Sequence, residues 1–369
     1  MEKLKKYIDS VVTGLDAIQK VPIVDYKTKL RCLRIGDISQ NKSFDNWGYT
    51  NASFLDVKQF LIRNNDNFIA RTGSTIGCSW FADKNFDSVF NNGIIRLRTN
   101  NLMLPKYLSY LMQTASFRKY VYNVGMGSAT QPNIKINDML DYEINVPSIN
   151  IQHHIVNTIG SVDNLIENYQ SQIEKIIKIG DHLLITDSNK KSIIEYVDVL
   201  LGGTPSRKHL EYWNGDIKWI NSGAITGTPA ILKESDFITI DGVKHSATKS
   251  ANKGDTVLSI IEPSKSKVAL ILDDNVYFNQ SVICFSSKNK LDKGFIFFAS
   301  RSLIEEIKGY ATGAAQQSLN KEMIEKSKIH VPNQKIKIKL NNFFYSIISL
   351  EEKIRKLTIL KEMLLLKYF

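Results

Sequence analysis

The sequence predicts a mixed α/β (α+β) protein assembled twice over. Two homologous domains, each followed by a long helix, are related by a pseudo-two-fold internal repeat, with the two helices packed antiparallel as a coiled-coil spacer. Three observations predict this: self-similarity with a period of about 187 residues, strand and helix patterns within each copy, and two apolar seams that follow Pro147 and Pro332. The expected boundaries are a first domain over 1–147, a first helix over 148–187, a second domain over 188–332 and a second helix over 333–369.

The repeat is read residue by residue. Tyr7, Asp9 and Gly14 recur as Tyr196, Asp198 and Gly203, Gly36 with Ile38 recurs as Gly223 with Ile225, and Phe90-Asn91 recurs as Phe278-Asn279. Ala129, Gln131, Pro147, Ile151, Ser161 and Leu165 then match Ala314, Gln316, Pro332, Ile336, Ser346 and Leu350. The spacing drifts by a few residues from end to end, as loop insertions in two copies of one fold would produce, and the stretches between matches have little in common. Within each copy, Val89 to Leu97 and Val276 to Phe285 are rich in β-branched and aromatic residues and read as strands, and Phe68 to Ala70 leads into the turn-like Thr72-Gly73-Ser74. Leu104 to Tyr122 and Gly294 to Tyr310 carry apolar residues at helical spacing and read as helices.

Pro147 and Pro332 mark boundaries because the proline ring opposes helix continuation. Beyond the first, Ile151, Ile155, Ile159, Val162, Ile166, Tyr169, Ile173 and Ile176 recur at alternating three- and four-residue steps. Beyond the second, Ile336, Leu340, Phe343, Ile347, Leu350, Ile354, Leu357 and Leu360 do the same, with Glu351, Lys353 and Lys356 on other faces. An ordinary core helix explains either seam alone; two seams at matching places after matching domains favour a paired spacer.

Composition narrows the function. The 369 residues include 48 Lys and Arg against 37 Asp and Glu, a net charge of +11, of which the residues from 188 onward carry the larger part. Such a balance favours a polyanionic partner, because basic surface releases the counterions of phosphates, although a Lys-, Asn- and Ile-rich proteome makes many basic proteins. The longest stretch free of Asp, Glu, Lys and Arg, Ile144 to Val162, holds Pro147, Gln152, His153, His154 and Asn157, so no membrane span is expected. With no signal-like start the chain reads as cytoplasmic. Cys32, Cys78 and Cys284 are odd in number and far apart, and read as buried thiols.

Catalytic motifs are missing. The sequence has no Gly-Lys dipeptide for a P-loop, no His-Glu-x-x-His, and neither an Asn/Asp-Pro-Pro-aromatic nor a Pro-Cys methyltransferase motif. The triplets Asp25-Tyr26-Lys27, Asp216-Ile217-Lys218 and Glu306-Ile307-Lys308 are of a kind that chance supplies freely, and none follows a Pro-Asp pair. His153-His154 has no equivalent in the second copy and reads as helix surface. No metal site is expected.

These features together resemble the specificity subunits of type I restriction-modification systems, over nearly the whole chain. Phe68-Ile69-Ala70-Arg71-Thr72-Gly73-Ser74-Thr75-Ile76-Gly77 looks like the family's strand-turn-strand segment, and Gly127-Ser128-Ala129-Thr130-Gln131-Pro132-Asn133-Ile134 looks like the stretch before its spacer helix. Their counterparts are Val257 to Lys265 and Thr312 to Leu319, while Leu200-Leu201-Gly202-Gly203-Thr204-Pro205-Ser206 and Trp219-Ile220-Asn221-Ser222-Gly223 resemble the family's domain opening. The first copy has Thr13-Gly14-Leu15-Asp16 in place of that opening.

The resemblance implies a non-catalytic, sequence-specific DNA-binding subunit whose two target-recognition domains each read half of a bipartite double-stranded site. It implies docking of two methyltransferase subunits on the helices, motor-nuclease restriction subunits as further partners, and S-adenosylmethionine, ATP and Mg²⁺ on those partners only. Base edges and phosphates are read by side-chain donors and acceptors on loops. The candidates are therefore Arg71, Thr72, Ser74, Thr75, Asn91, Asn92, Ser128 and Gln131 in the first domain. In the second they are Arg207, Lys208, Asn221, Ser264, Lys265, Lys267, Asn279, Gln280, Gln316 and Gln317. For each, a solvated loop or a turn-forming hydrogen bond is the competing reading; for Gly36, Gly73, Gly77 and Gly223 it is turn geometry. Trp47, Trp80, Trp213 and Trp219 read as core. Two other classes stay open: a self-contained DNA-modifying enzyme, and a coiled-coil adaptor without a DNA role.

Overall fold

The computed structural model describes residues 1–126, 132–261, 267–308 and 319–369. By its contacts the chain forms two compact units, Met1–Asp163 with Leu360–Phe369, and Asn164–Ile359. The strands of unit 1 are β1 (Glu2–Lys3), β2 (Ile8–Thr13), β3 (Ile23–Val24), β4 (Leu30–Leu33), β5 (Gly48–Thr50), β6 (Asn67–Ala70), β7 (Ser79–Phe81), β8 (Ser88–Phe90), β9 (Ile94–Thr99) and β10 (Glu143–Ile144). Unit 2 repeats the series as β11 (Ser188–Ser192), β12 (Val197–Leu201), β13 (Trp213–Ile220), β14 (Asp236–Ile238), β15 (Lys249–Ala251), β16 (Thr256–Ser259), β17 (Val268–Leu270), β18 (Val276–Phe278), β19 (Val282–Ser287) and β20 (Lys328–Pro332).

The duplication is visible in the pairing. One sheet has the order β2-β9-β6-β7 in unit 1 and β12-β19-β16-β17 in unit 2, antiparallel throughout. Its central strands β6 and β16 are buried at every position, as strands covered on both faces must be. The second sheets share a parallel pair, β4 with β8 and β13 with β18, flanked by an antiparallel β5 or β14. They differ at the edge: β3 extends one beyond β5, and β15 extends the other beyond β18.

Three expectations are corrected here. Val89 to Leu97 and Val276 to Phe285 are each two strands in different sheets, broken by Asn91-Asn92-Gly93 and Asn279-Gln280-Ser281; the amide of Asn91 reaches Leu33 O and that of Asn279 reaches Ile220 O. Leu104 to Tyr122 is two helices, α2 (Pro105–Leu111) and α3 (Ala115–Met126), because the Thr114 hydroxyl donates to Leu111 O and accepts from the Phe117 amide, ending one helix and capping the next. Its counterpart in unit 2 is one helix over Lys293–Lys308, and Tyr310 lies outside the described residues. Gly14 corresponds to Gly202 rather than to Gly203. A Cβ on Gly14 would stand 2.2 Å from Asn91 O, and one on Gly202 would stand 2.2 Å from Phe278 O. The register of β2 slips between Ile8 and Ser10, so a bulge absorbs one residue in the first copy.

Short helices complete each unit: α1 (Ile35–Ser39) lies ahead of α2 and α3, and α4 (Ile136–Leu140) precedes the long α5 (Ile149–Ile185). In the second copy a single 3-10 turn, Ser222–Ala224, stands where α1 does, α6 (Ile240–Lys244) follows β14, and α7 (Lys293–Lys308), α8 (Lys321–Glu325) and the long α9 (Gln334–Tyr368) take the later places. In unit 1 the Asp163 carboxylate accepts from Tyr110 Oη at 2.9 Å and pairs with Lys361 at 2.7 Å, while His154 faces Tyr368, so the two helices run antiparallel. In unit 2, Lys353 lies over Tyr169 in the same opposed order. The seams run into the domain cores. Ile155 and Ile159 pack with Tyr107, Leu108 and Leu365, and Ile173, Ile336, Leu340, Ile347, Leu350 and Ile354 share one core with Phe295, Phe297 and Phe298 of α7. Val162 is buried, and Ile166, Tyr169, Phe343 and Leu357 are half-buried.

Ile151 is not a seam residue: it is 52% exposed, and its neighbour Gln152 is fully buried instead. The first turn of α5 meets unpaired backbone, and an apolar side chain would leave it unsatisfied. The Gln152 amide donates to Leu102 O and Pro147 O at 2.9 Å each and accepts from the Leu104 amide at 2.8 Å. Beyond Ile173 the buried face passes through Ile177, Gly180 and Leu184, with Ile176 half-buried.

Two predictions follow from this packing. Gln152→Leu leaves three part-buried backbone groups without their side-chain partner, so urea unfolding should show a loss of about 1–3 kcal/mol, water taking up part of the lost bonding. The Glu351 carboxyl on α9 is buried with no ion-pair partner among the described residues, and burial pushes its pKa up to about 7 from 4.5. Between these values the native state keeps a proton that the unfolded chain releases, so the contribution of this group is fully present below pH 4.5 and is lost as pH rises through about 7. Glu351→Gln should abolish this decline and raise stability at pH 8 by about 3 kcal/mol, read by unfolding across pH.

Candidate nucleic-acid interface

In unit 1 the segment after β6 makes a tight excursion, with Gly73 and Gly77 both at φ +84°, a conformation that a Cβ opposes. The excursion is fastened to residues 132–134: Gly73 N donates to Pro132 O, Ile134 N donates to Arg71 O, and Arg71 Nε donates to Asn133 Oδ1 at 2.9 Å and Ile134 O at 3.2 Å. Arg71 thus uses its Nε as a brace. Ser74 is exposed at the tip, with Thr72 and Thr75 half-buried. Asn92 is exposed at the turn between β8 and β9, whereas Asn91 is half-buried and its Oδ1 is a buried acceptor without a partner among the described residues. Ser128 and Gln131 lie outside the described residues.

In unit 2 the candidates separate into two kinds. Asn221 and Asn279 each use the side-chain oxygen to form a turn, the competing reading of both residues. Asn221 Oδ1 accepts from Gly223 N at 2.8 Å to cap a short helical turn, and Asn279, 9% exposed, accepts from Ser281 N at 3.1 Å. Gln280 and Lys208 are exposed and Lys267 is half-buried. Ser264, Lys265, Gln316 and Gln317 lie outside the described residues.

The loop after β12 is the part that sequence reasoning undervalued. Trp219 Nε1 donates to Gly203 O at 3.4 Å, Trp213 Nε1 donates to Ser206 O at 3.2 Å, and the Thr204 hydroxyl donates to Gln280 Oε1. The two indoles are buried as expected, packed edge to face with centroids 5.2 Å apart. Trp47 is likewise buried, while Trp80 is half-buried in the aromatic cluster with Phe68 and Phe86. The Arg207 guanidinium lies 3.3 Å from the Trp213 ring centroid, and its Nη1 donates to Asp236 Oδ2 at 2.8 Å. A loop whose only notable letters are Gly, Thr, Pro and Ser is thereby held rigid. The signal available in the sequence was the pair of tryptophans that follows it.

Elsewhere the reactive groups are quiet. Burial pushes the Cys32 thiol up to about 12 and holds the Cys284 thiol well above its ordinary value, leaving little thiolate for nucleophilic chemistry; Cys78 is half-buried. His153 and His154 are exposed on α5. Among the described residues no three His, Cys, Asp or Glu side chains stand together as a metal site, and no helix is long and apolar enough to cross a membrane.

Comparison with known proteins agrees with this architecture. The profile of the type I restriction modification DNA specificity domain matches the chain twice, over residues 27–178 and 186–358. A type I restriction enzyme specificity subunit, MjaIX, from Methanocaldococcus jannaschii is 24% identical over 308 residues, covering 75% of this chain and 71% of the relative. The crystal structure of a type I restriction-modification S subunit from M. genitalium superposes with a TM-score of 0.53 at 17% identity, covering all of this chain and 95% of that one, which establishes a shared fold. With two matched domains spanning most of its length, this chain belongs to the DNA specificity family of type I restriction-modification systems.

Proposed function

We propose that the chain is the DNA-reading, non-catalytic subunit of a cytoplasmic type I complex. Each domain reads one half of a bipartite duplex site, α5 and α9 set the gap between the halves, and the outward faces of these helices dock two methyltransferase subunits. Motor-nuclease subunits join through that core, and S-adenosylmethionine, ATP and Mg²⁺ act on the partners. One observation carries this reading: the scaffold is duplicated in one whole sheet and in the central strands of the other, yet the loops it presents are unlike. After β2 the chain makes a turn capped by Asp16, which accepts from the amides of Ile18 and Gln19; after β12 it makes the indole-clamped loop. Two copies of one frame with different loops suit a site whose halves differ in sequence.

The test is co-expression with a methyltransferase subunit, followed by mapping of methylated adenines by single-molecule sequencing. A split motif with a constant gap is expected, and replacing residues 188–332 with those of a relative should change one half only. Methylation that ignores the replacement would sink the reading in favour of an adaptor, and methylation by the chain alone would favour a self-contained enzyme. Affinity of the complex for its site should also fall steeply as salt rises from 50 to about 200 mM, by a factor of roughly a thousand if six or more phosphates are contacted, measured by fluorescence anisotropy.

A further inference from the structure

We propose that Arg207 is the guanine-reading residue of the second domain, donating Nε–H and Nη2–H to O6 and N7 of a guanine in the major groove. The inference rests on the DNA-reading role proposed above and assigns one base contact within it.

Arg207 is an exposed arginine held in place. Its side chain is 59% exposed, yet one face of the guanidinium lies on Trp213 and one nitrogen, Nη1, is fixed by Asp236. Trp213 also holds the carbonyl of the preceding residue, Ser206, so ring and backbone position the same side chain. A surface ion pair of this exposure contributes little to stability, so stability alone is a weak reason for the arrangement. What it does achieve is direction. A free arginine side chain loses rotamer entropy when it binds, and much of that loss has already occurred here before any ligand arrives.

The remaining edge defines the ligand. Nε and Nη2 have no hydrogen-bond partner among the described residues, and they form the second two-donor edge of the guanidinium. Two parallel donors match two adjacent acceptors, which guanine alone among the bases presents in the major groove. A phosphate also offers two acceptors, but part of its attraction is to net charge, which Asp236 offsets, whereas the two aimed donors serve a neutral base edge undiminished. Neighbouring Thr204, Ser206 and Lys208 are exposed on the same loop, so the guanidinium stands within a continuous polar edge. The first copy has no arginine at this place. Its corresponding turn, Gly14-Leu15-Asp16, is closed by an aspartate instead.

The experiment uses the full chain in complex with its methyltransferase subunit and duplex libraries randomised across the half-site assigned to residues 188–332. Binding is read by selection and sequencing, and by anisotropy at several salt concentrations. The wild-type complex should prefer guanine at one position about ten- to a hundredfold, and Arg207→Ala should erase that preference while leaving the other positions and the other half-site unchanged. Arg207→Lys should lose most of it too, since a single ammonium cannot bridge two acceptors in fixed geometry. Thermal unfolding of both variants should match wild type, because the residue lies outside the core. If Arg207→Ala weakens all sequences equally and lowers the salt slope by about one, the residue is a phosphate contact and the proposal is overturned. Retention of the full guanine preference by the variant overturns it as well. A wild-type complex with no sequence preference would instead overturn the DNA-reading role, and this assignment with it.

Discussion

Gly180 of α5 meets Phe298 of α7 so closely that a Cβ would stand 2.2 Å from the ring, and one turn of chemistry follows from that contact. Asp181 binds Arg301 of α7 through both carboxylate oxygens, at 3.1 and 3.0 Å, and Ile173, Ile177 and Leu184 enter the same core as Phe295 and Phe297. The long helices are therefore part of the domain interiors. An isolated helix of this length would be held by a single seam, but here its apolar face is covered by the sheet-backed helices of a folded domain as well. Each domain needs the helices to close its core, and this is why the repeat unit includes both a domain and a helix.

The two copies meet identical structural demands with different chemistry. In the turns before β6 and β16, the side chains of Asp66 and Asp255 accept from the amides of Arg63 and Asn252, and the residue before each aspartate is left-handed, Asn65 at φ +71° and Gly254 at φ +83°. Both aspartates are buried and need a cation. Asp66 takes Arg98 from β9, whereas Asp255 takes Lys293 from α7 at 3.0 Å. Removing either partner would leave a buried carboxylate uncompensated, which is costly, but the physics does not specify which element supplies the charge. The start of the long helices shows the same freedom. Gln152 satisfies backbone groups at the first, and Lys337 pairs with Asp292 at 3.0 Å and lies over the Phe295 ring at the second.

This explains what was legible in the sequence. Periodicity reports which face is buried, so the long helices and the repeat were readable from Ile155, Ile159, Leu340 and Ile347. It does not report buried polar groups that satisfy backbone, so Gln152 was passed over for Ile151. It also fails where an apolar run crosses from one sheet to another, because Val89 to Leu97 has strand character on both sides of Asn91-Asn92-Gly93 and nothing local shows that the two ends pair with different partners. Of the candidate contacts, the exposed Arg207, Lys208 and Gln280 were legible as polar loop residues. That Asn221 and Asn279 spend their carboxamides on turns was not, since capping and base contact call for the same residue types.

The location of the clamped loop bears on how such a domain keeps its fold while its reading surface changes. Trp213 and Trp219 belong with Ile238 to a small cluster of their own, separate from the larger cores of unit 2. Both indoles donate their Nε1–H to backbone carbonyls of the loop, at Gly203 and Ser206. Any residue offers such a carbonyl. The shape of the loop therefore survives replacement of Thr204, Ser206, Arg207 or Lys208, whose side chains are exposed and whose individual contributions to stability are small. Loop geometry and loop chemistry are set by different atoms, so the chemistry is free to vary on a surface that stays rigid enough to aim it.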